Sequence, residues 1–201
     1  ADIVHAAYHG PIRVPGGRGL GRRVADLRVI ANLYPETIHL VARRGSGIKT
    51  VADLLGKRVS FDLAGSGTRL NAKIILAAHG IILEQLVVSE VDPTEAHDLF
   101  QRNQLDAFFL VAGYPAAAVT ELARSGLADI VPLTGGPADS VVRRHRFITV
   151  DAIPAGTYPG ITDHILTLSV GAQWVVSASA DAELIYRGTK ALGYPRNRQF
   201  L

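Results

Sequence analysis

The stretch Arg58-Val59-Ser60-Phe61-Asp62-Leu63-Ala64-Gly65-Ser66-Gly67-Thr68-Arg69-Leu70-Asn71 reads as a strand that breaks into a small polar turn and then opens a helix. The first N–H groups of a helix have no intrahelical acceptor and carry a partial positive charge, which suits the turn at 65–68 to a carboxylate or a phosphate. Gly65 and Gly67 let a ligand approach the backbone closely, and Ser66 and Thr68 add hydroxyls. An ordinary strand-to-helix turn, with Ser66 or Gly67 as its N-cap, accounts for the motif alone at least as simply.

A second junction of the same kind follows. Residues 105–112 form a near-continuous apolar run, as expected of a strand buried on both faces, and Gly113-Tyr114-Pro115 then turns into a helix over 116–124. In open α/β sheets ligands sit beyond the carboxyl ends of the strands, so the two junctions are placed to face one crevice. The first would supply N–H groups and hydroxyls, the second the aromatic wall of Tyr114 with its polar tip. A partly exposed tyrosine at a helix start is the alternative for Tyr114.

The elements that must hold these turns alternate. Apolar segments at 27–33 and 37–42 precede Thr50, placed to cap a short helix with Asp53 three residues on and Gly56 as its stop. Strands are expected at 57–61, 85–91 and 129–133. Helices are expected at 68–79, closed by Gly80, at 93–103, opened by Asp92-Pro93-Thr94-Glu95, and at 137–144. A Pro/Gly-rich connector at 153–160 leads to a long β-prone stretch at 165–177 and a helix at 180–192. This βα alternation predicts an α/β fold with a mainly parallel sheet flanked by helices. Too few elements precede residue 44 to form a sheet, so the two ends are expected to build one partial lobe together, 1–43 with 164–201, around a second lobe at 44–163. Two crossovers between lobes make a hinge, and lobes that close over a ligand are a common capture device.

Composition narrows the classes. With 201 residues, 48% of them hydrophobic and 19% charged, the chain can bury a substantial core. No apolar run approaches the roughly 18 residues of a membrane span, and no charged-then-apolar leader opens the chain. Cysteine is absent, which excludes disulfides and thiolate metal sites. The net charge of +3 resides partly in Arg13, Arg18, Arg22 and Arg23 and partly in Arg143, Arg144, His145 and Arg146. Neither cluster is interleaved with stacking aromatics, so solvated loop charge is expected rather than nucleic-acid binding. Among the seven histidines none forms an H-E-x-x-H pair, and His39, His79, His97, His145 and His164 read as surface or cap residues. Ser66 lacks a G-x-S-x-G frame.

Several motifs together resemble one family. Leu33-Tyr34-Pro35-Glu36-Thr37-Ile38-His39, Ile48-Lys49-Thr50-Val51-Ala52-Asp53-Leu54, Gly56-Lys57-Arg58-Val59-Ser60, Gly65-Ser66-Gly67-Thr68, Leu105-Asp106-Ala107-Phe108-Phe109, Gly113-Tyr114-Pro115 and Pro154-Ala155-Gly156-Thr157-Tyr158 are similar to the TAXI family of TRAP-transporter solute-binding proteins, nearest its 31 kDa immunogenic-protein branch. The resemblance implies a two-lobed, type II periplasmic binding protein that delivers a small organic anion, such as glutamate or a dicarboxylate, to a TRAP-type membrane permease. It implies a periplasmic location, no enzymatic activity, no cofactor and no metal. Carried over by position, Gly65, Ser66, Gly67, Thr68 and Asn71 match the family's ligand-facing turn, Gly113 and Tyr114 its facing loop, and Asp2 and Tyr8 a segment of the first lobe near the cleft.

Departures accompany the match. The family's signal peptide and its Gly-rich, tyrosine-bearing opening segment have no counterpart here, and the family continues with further helices beyond the last residue. The chain is thus expected to be a fragment, a trimmed chain or a partial gene product. His5 and His9 stand where the family usually has Tyr and Asn. Two other readings stay open: a phosphoribosyltransferase-like enzyme on the same fold, with Asp62 the one candidate for handling Mg²⁺, and a structural fragment that binds no small molecule.

Overall fold

The computed structural model of the protein describes residues 2–10 and 23–195. The four arginine positions of the first basic loop fall at 13, 18, 22 and 23, and only Arg23 is among the described residues. Among the described residues seven strands and six α-helices follow one another: α1 (Asp2–His9), β1 (Leu27–Arg43), β2 (Arg58–Ser60), α2 (Gly67–Ala78), β3 (Val87–Ser89), α3 (Pro93–Gln101), β4 (Ala107–Ala112), α4 (Ala117–Arg124), β5 (Ala128–Val131), α5 (Gly135–Arg144), β6 (Ile148–Ile153), β7 (Ile165–Ser177) and α6 (Ala182–Leu192).

Local chemistry explains the element ends. The Ser66 side chain accepts from Arg69 N at 3.1 Å to start α2. Asp92 accepts from Thr94 N and Glu95 N to start α3, with Pro93 in the first helical position where its missing N–H costs nothing. At the short helix after Thr50, the acid of the box does the capping: Asp53 accepts from Lys49 N, Thr50 N and the Thr50 hydroxyl.

All strands join one sheet in the order β3-β2-β4-β1-β7-β6, with β5 on the same edge of β1 as β7. Pairing is mixed where a mainly parallel sheet was expected. Only β2 with β3 and β2 with β4 are parallel, and β1 is antiparallel to β4, β5 and β7, as β6 is to β7. The βα run does keep β2, β3, β4 and β5 in one direction, as right-handed crossovers require. The antiparallel character enters because β1 inserts between β4 and β5, pairing Leu40 with Phe109 on one side and Val131 on the other.

The two apolar segments at 27–33 and 37–42 are one 17-residue strand, β1. Its second half, from Thr37 to Ala42, is fully buried, whereas its first half pairs only with the outer half of β7 and is largely exposed. Pro35 is accommodated at a register shift between the two halves, where a ladder hydrogen bond is not needed. The residues after α5 do not pass straight into the Pro/Gly connector, since β6 intervenes as an edge strand.

Helices α2 and α5 cover one face of the sheet, burying Leu70, Ile74, Ile75 and Val141 on Ile38, Leu40 and Phe109. Helices α3 and α4 cover the other, burying Phe100, Val119 and Leu122 on Val41, Phe108 and Ile130. The layering places the N-termini of α2 and α4 at the carboxyl edge of β2 and β4. Helix α1 packs beside α2 and β7 at that same edge.

Candidate functional site

The turn at 65–68 is built for close approach. Gly65 adopts φ +90°, a left-handed conformation that side chains resist, and Gly67 is the first residue of α2. Against Gly67 lies the Asp2 side chain: a methyl group at Gly67 would stand 2.9 Å from Asp2 Oδ2 and would have to push the carboxylate away. Asn71, one turn further along α2 and fully buried, donates from Nδ2 to Asp2 Oδ2 at 2.6 Å and to the Gly67 carbonyl at 2.9 Å. Its Oδ1 is buried without a hydrogen-bond partner. Asp2 itself is only 6% exposed, and it also takes the Ile3 N–H at 2.7 Å. A carboxylate belonging to the chain therefore lies against the first turn of α2, bonded by the Asn71 amide. Nearby Glu36 has its carboxyl raised above the ordinary range, first by burial and then by the charge of Asp2.

The second junction meets the first through Thr68. Its hydroxyl accepts from Val111 N at 3.3 Å, tying the start of α2 to the end of β4, two residues before Gly113. Tyr114 packs with the core on the α3 and α4 side of the sheet. The ring that stands over Gly113 is that of Tyr34, 3.8 Å from where a Cβ would be. Tyr8 is 37% exposed at the end of α1, in edge contact with His9 and under the Arg23 guanidinium at 5.8 Å. Gly65, Ser66, Gly67, Thr68, Asn71 and Asp2 are thus gathered at one point and Gly113 at the same edge, whereas Tyr8 and Tyr114 stand on other contacts.

Three features escaped sequence reasoning. Arg69 places a guanidinium on the first turn of α2, where the helix dipole disfavours a cation. It is held by an ion pair from Nη2 to Glu90 and by the face of Phe61, and its Nη1 is buried without a partner. Its signal was its place directly after the Gly65-Ser66-Gly67-Thr68 turn. Tyr34 belongs to the Leu33–His39 motif and has no signal of its own in the sequence. The third is a buried chain in which Ala116 N donates to the Tyr158 hydroxyl at 2.9 Å and that hydroxyl donates to His39 Nε2 at 2.8 Å. His39 Nδ1–H then donates to the Thr37 carbonyl at 3.0 Å, which fixes the tautomer. His39, read as a surface or cap residue, is 0% exposed.

Burial holds the His39 imidazole below its ordinary value, against the opposing pull of the Thr37 and Leu110 carbonyls and of Asp151. Burial also lowers His5 and His145. Below pH 6.5 the unfolded chain takes up protons at these positions that the folded chain refuses, so folding stability must fall as the pH drops from 6.5. A shift of the urea midpoint to lower concentration between pH 7 and pH 5.5 is expected, with a smaller shift in His39→Gln. Equal shifts in the two proteins would refute the assignment of this sensitivity to His39. Among the described residues no group of three His, Asp or Glu side chains could hold a metal ion, and no helix is long and apolar enough to cross a membrane.

A sheet covered on both faces by helices, with two glycine-bearing turns meeting at one edge and a long two-stranded ribbon leaving it, defines the class as a periplasmic binding-protein-like fold. The alkanesulfonate-binding protein SsuA from Xanthomonas axonopodis pv. citri bound to MOPS superposes with a TM-score of 0.50 at 22% identity, over 88% of this chain and 52% of that one. A mutant of ArgBP from T. maritima superposes with a TM-score of 0.51 at 14% identity, over 87% of this chain and 59% of that one. The chain thus spans between half and three-fifths of the length of these two structures. It belongs to the NMT1-like family, whose model matches residues 1–199.

Proposed function

We propose that the chain is part of an extracytoplasmic solute-binding protein that captures a small organic anion, a glutamate-like amino acid or a dicarboxylate, and delivers it to a TRAP-type membrane permease. The observation that carries this reading is the carboxylate of Asp2, which packs on Gly67 and accepts from the Asn71 amide: the group that such a ligand would present lies beside the α2 turn. In this proposal Gly65, Ser66, Gly67, Thr68 and Asn71 form the anion jaw, with Gly113 and Tyr114 beside it and Asp2 and Tyr8 contributed by a first lobe. The lobes would comprise 1–43 with 164–201, and 44–163. Support for a hinge comes from β1 and β7, whose inner halves are buried in the sheet and whose outer halves form an exposed ribbon. Membership of the TAXI branch near the 31 kDa immunogenic proteins, and a periplasmic location, complete the proposal.

Calorimetric titration with glutamate, succinate and phosphoribosyl pyrophosphate tests it. Glutamate or succinate is expected to bind at one site, and Thr68→Val to weaken that binding by about 1–3 kcal/mol through loss of a buried hydroxyl. Turnover of phosphoribosyl pyrophosphate would replace the transport reading with an enzymatic one. Because the Thr68 hydroxyl also accepts from Val111 N, the comparison is made after urea denaturation has confirmed that the variant is folded.

A further inference from the structure

A cavity of about 870 Å³ opens on the other side of α1, between that helix and the β1–β7 ribbon. This is within the range of sites that enclose small organic molecules. None of Gly65, Ser66, Gly67, Thr68 and Asn71 lines it. Its walls combine rings with positive charge: His5, Tyr8 and His9 from α1, Tyr34 from β1, and Arg146 and Phe147 from the segment before β6. The rings form a connected wall, with His5 4.6 Å from His9 and 5.0 Å from Phe147 between centroids. Thr149, Ser169 and Gln173 supply uncharged polar groups.

The charge is one-sided. Arg28 and Arg146 line the cavity and no acidic residue does, among the described residues. Arg28 is partly engaged by the Ala25 and Leu27 carbonyls, whereas Arg146 makes no ion pair with any described residue. From the neighbouring elements, His5 is faced by His9 on its own helix, by His145 and Arg146 after α5, and through His145 by Arg144; β7 presents no charged group to it. The acid of β1, Glu36, does not line the cavity and feels the charge of Asp2. Unpaired cationic and imidazole groups beside flat rings attract an anion whose remainder is apolar, since the rings take up the apolar part and the guanidinium pairs with the charge.

We infer that this cavity is a second binding site, distinct from the α2 turn, for an organic anion with a flat apolar body, such as an aromatic sulfonate or carboxylate. Burial and then the neighbouring His9 hold the His5 imidazole below its ordinary value, and an anion seated beside it favours its protonated form, so binding strengthens on acidification. The inference does not depend on the transport reading.

Calorimetric titration of the whole chain with 2-naphthalenesulfonate and with uncharged 2-naphthol tests it. The sulfonate is expected to bind at one site, at least tenfold more tightly than the naphthol, and severalfold more tightly at pH 5.5 than at pH 7.5. The double variant His5→Gln with Arg146→Gln is expected to weaken sulfonate binding at least tenfold and to flatten its pH dependence. Phe147→Leu, which keeps an apolar side chain there, is expected to weaken sulfonate and naphthol alike. Absence of sulfonate binding, equal affinity for the two probes, or an unchanged affinity in the folded double variant would overturn the inference. Displacement of the sulfonate by succinate would also overturn it, by placing the probe at the α2 turn.

Discussion

Asn71→Asp is expected to destabilise the protein by about 3–5 kcal/mol, the cost typical of an uncompensated charge in a buried site, here the new carboxylate at position 71. In a chain of this size that corresponds to a fall in melting temperature of roughly 6–20 °C. The Asn71 amide donates to Asp2 at 2.6 Å in a site where Asn71 is 0% and Asp2 6% exposed. Replacing the amide by a carboxylate sets two like charges at hydrogen-bond distance and turns a second oxygen toward the Gly67 carbonyl. The helix dipole offsets less than about 1 kcal/mol of this. Because the pair can be relieved by sharing one proton, the folded variant would hold that proton more tightly than the unfolded chain. Its stability should therefore fall as pH rises out of the carboxylate range and recover on acidification, the opposite of the histidine effect. Adding Asp2→Asn to Asn71→Asp reverses donor and acceptor and should recover part of the loss, with a coupling of about 1–3 kcal/mol in a double-mutant cycle. Recovery stays partial because the Gly67 carbonyl still faces a carboxylate. Urea denaturation of the four proteins at pH 7 and pH 5 measures these terms, and additivity in the cycle would show that the two side chains do not meet.

The contrast between these residues and their neighbours shows what a sequence can disclose. Ser66, Asp92-Pro93 and Gly80 act within four residues of themselves, so the start of α2, the start of α3 and the end of α2 were readable from residue type and spacing. The buried run of β4 was readable for the same reason. Helix α1 was not, because its buried stripe consists of Asp2 and Ala6, and an aspartate gives no apolar periodicity. Strand β6 was hidden between Arg143-Arg144-His145-Arg146 and Pro154, with Val150 exposed on an edge that pairs only with β7. The antiparallel insertion of β1 rests on partners 65–150 residues away, which no local pattern encodes. In the site, the turn at 65–68 carried its own signature. That a carboxylate from position 2 would lie on it required the fold.

Tyr158→Phe is expected to cost about 2–6 kcal/mol, because one hydroxyl serves two buried groups and each is stranded at about 1–3 kcal/mol when the oxygen is removed. Tyr158 is 1% exposed, and its ring packs edge-on against His39 with centroids 5.8 Å apart, a contact that phenylalanine retains. The loss is thus assignable to the hydroxyl alone. One stranded group is the Ala116 N–H at the N-cap of α4, where alanine has no side chain to cap the helix and the tyrosine hydroxyl, arriving from 42 residues away, caps the turn instead. Faster amide hydrogen exchange at Ala116 and through the Gly113-Tyr114-Pro115 junction should follow, since that junction is anchored from below by this bond. The other stranded group is His39 Nε2. A hydrogen bond donated to that lone pair favours the neutral ring, so its removal makes protonation easier and should shrink the loss of stability between pH 6.5 and pH 5.5. The double variant His39→Leu with Tyr158→Phe removes Nε2 as well as the hydroxyl, leaving Ala116 N–H and the Thr37 carbonyl as the unpaired groups. It should cost less than the sum of the single changes. A midpoint within 0.5 kcal/mol of the parent, with unchanged exchange at Ala116, would mean that the hydroxyl does not couple the core histidine to the loop that borders the anion turn.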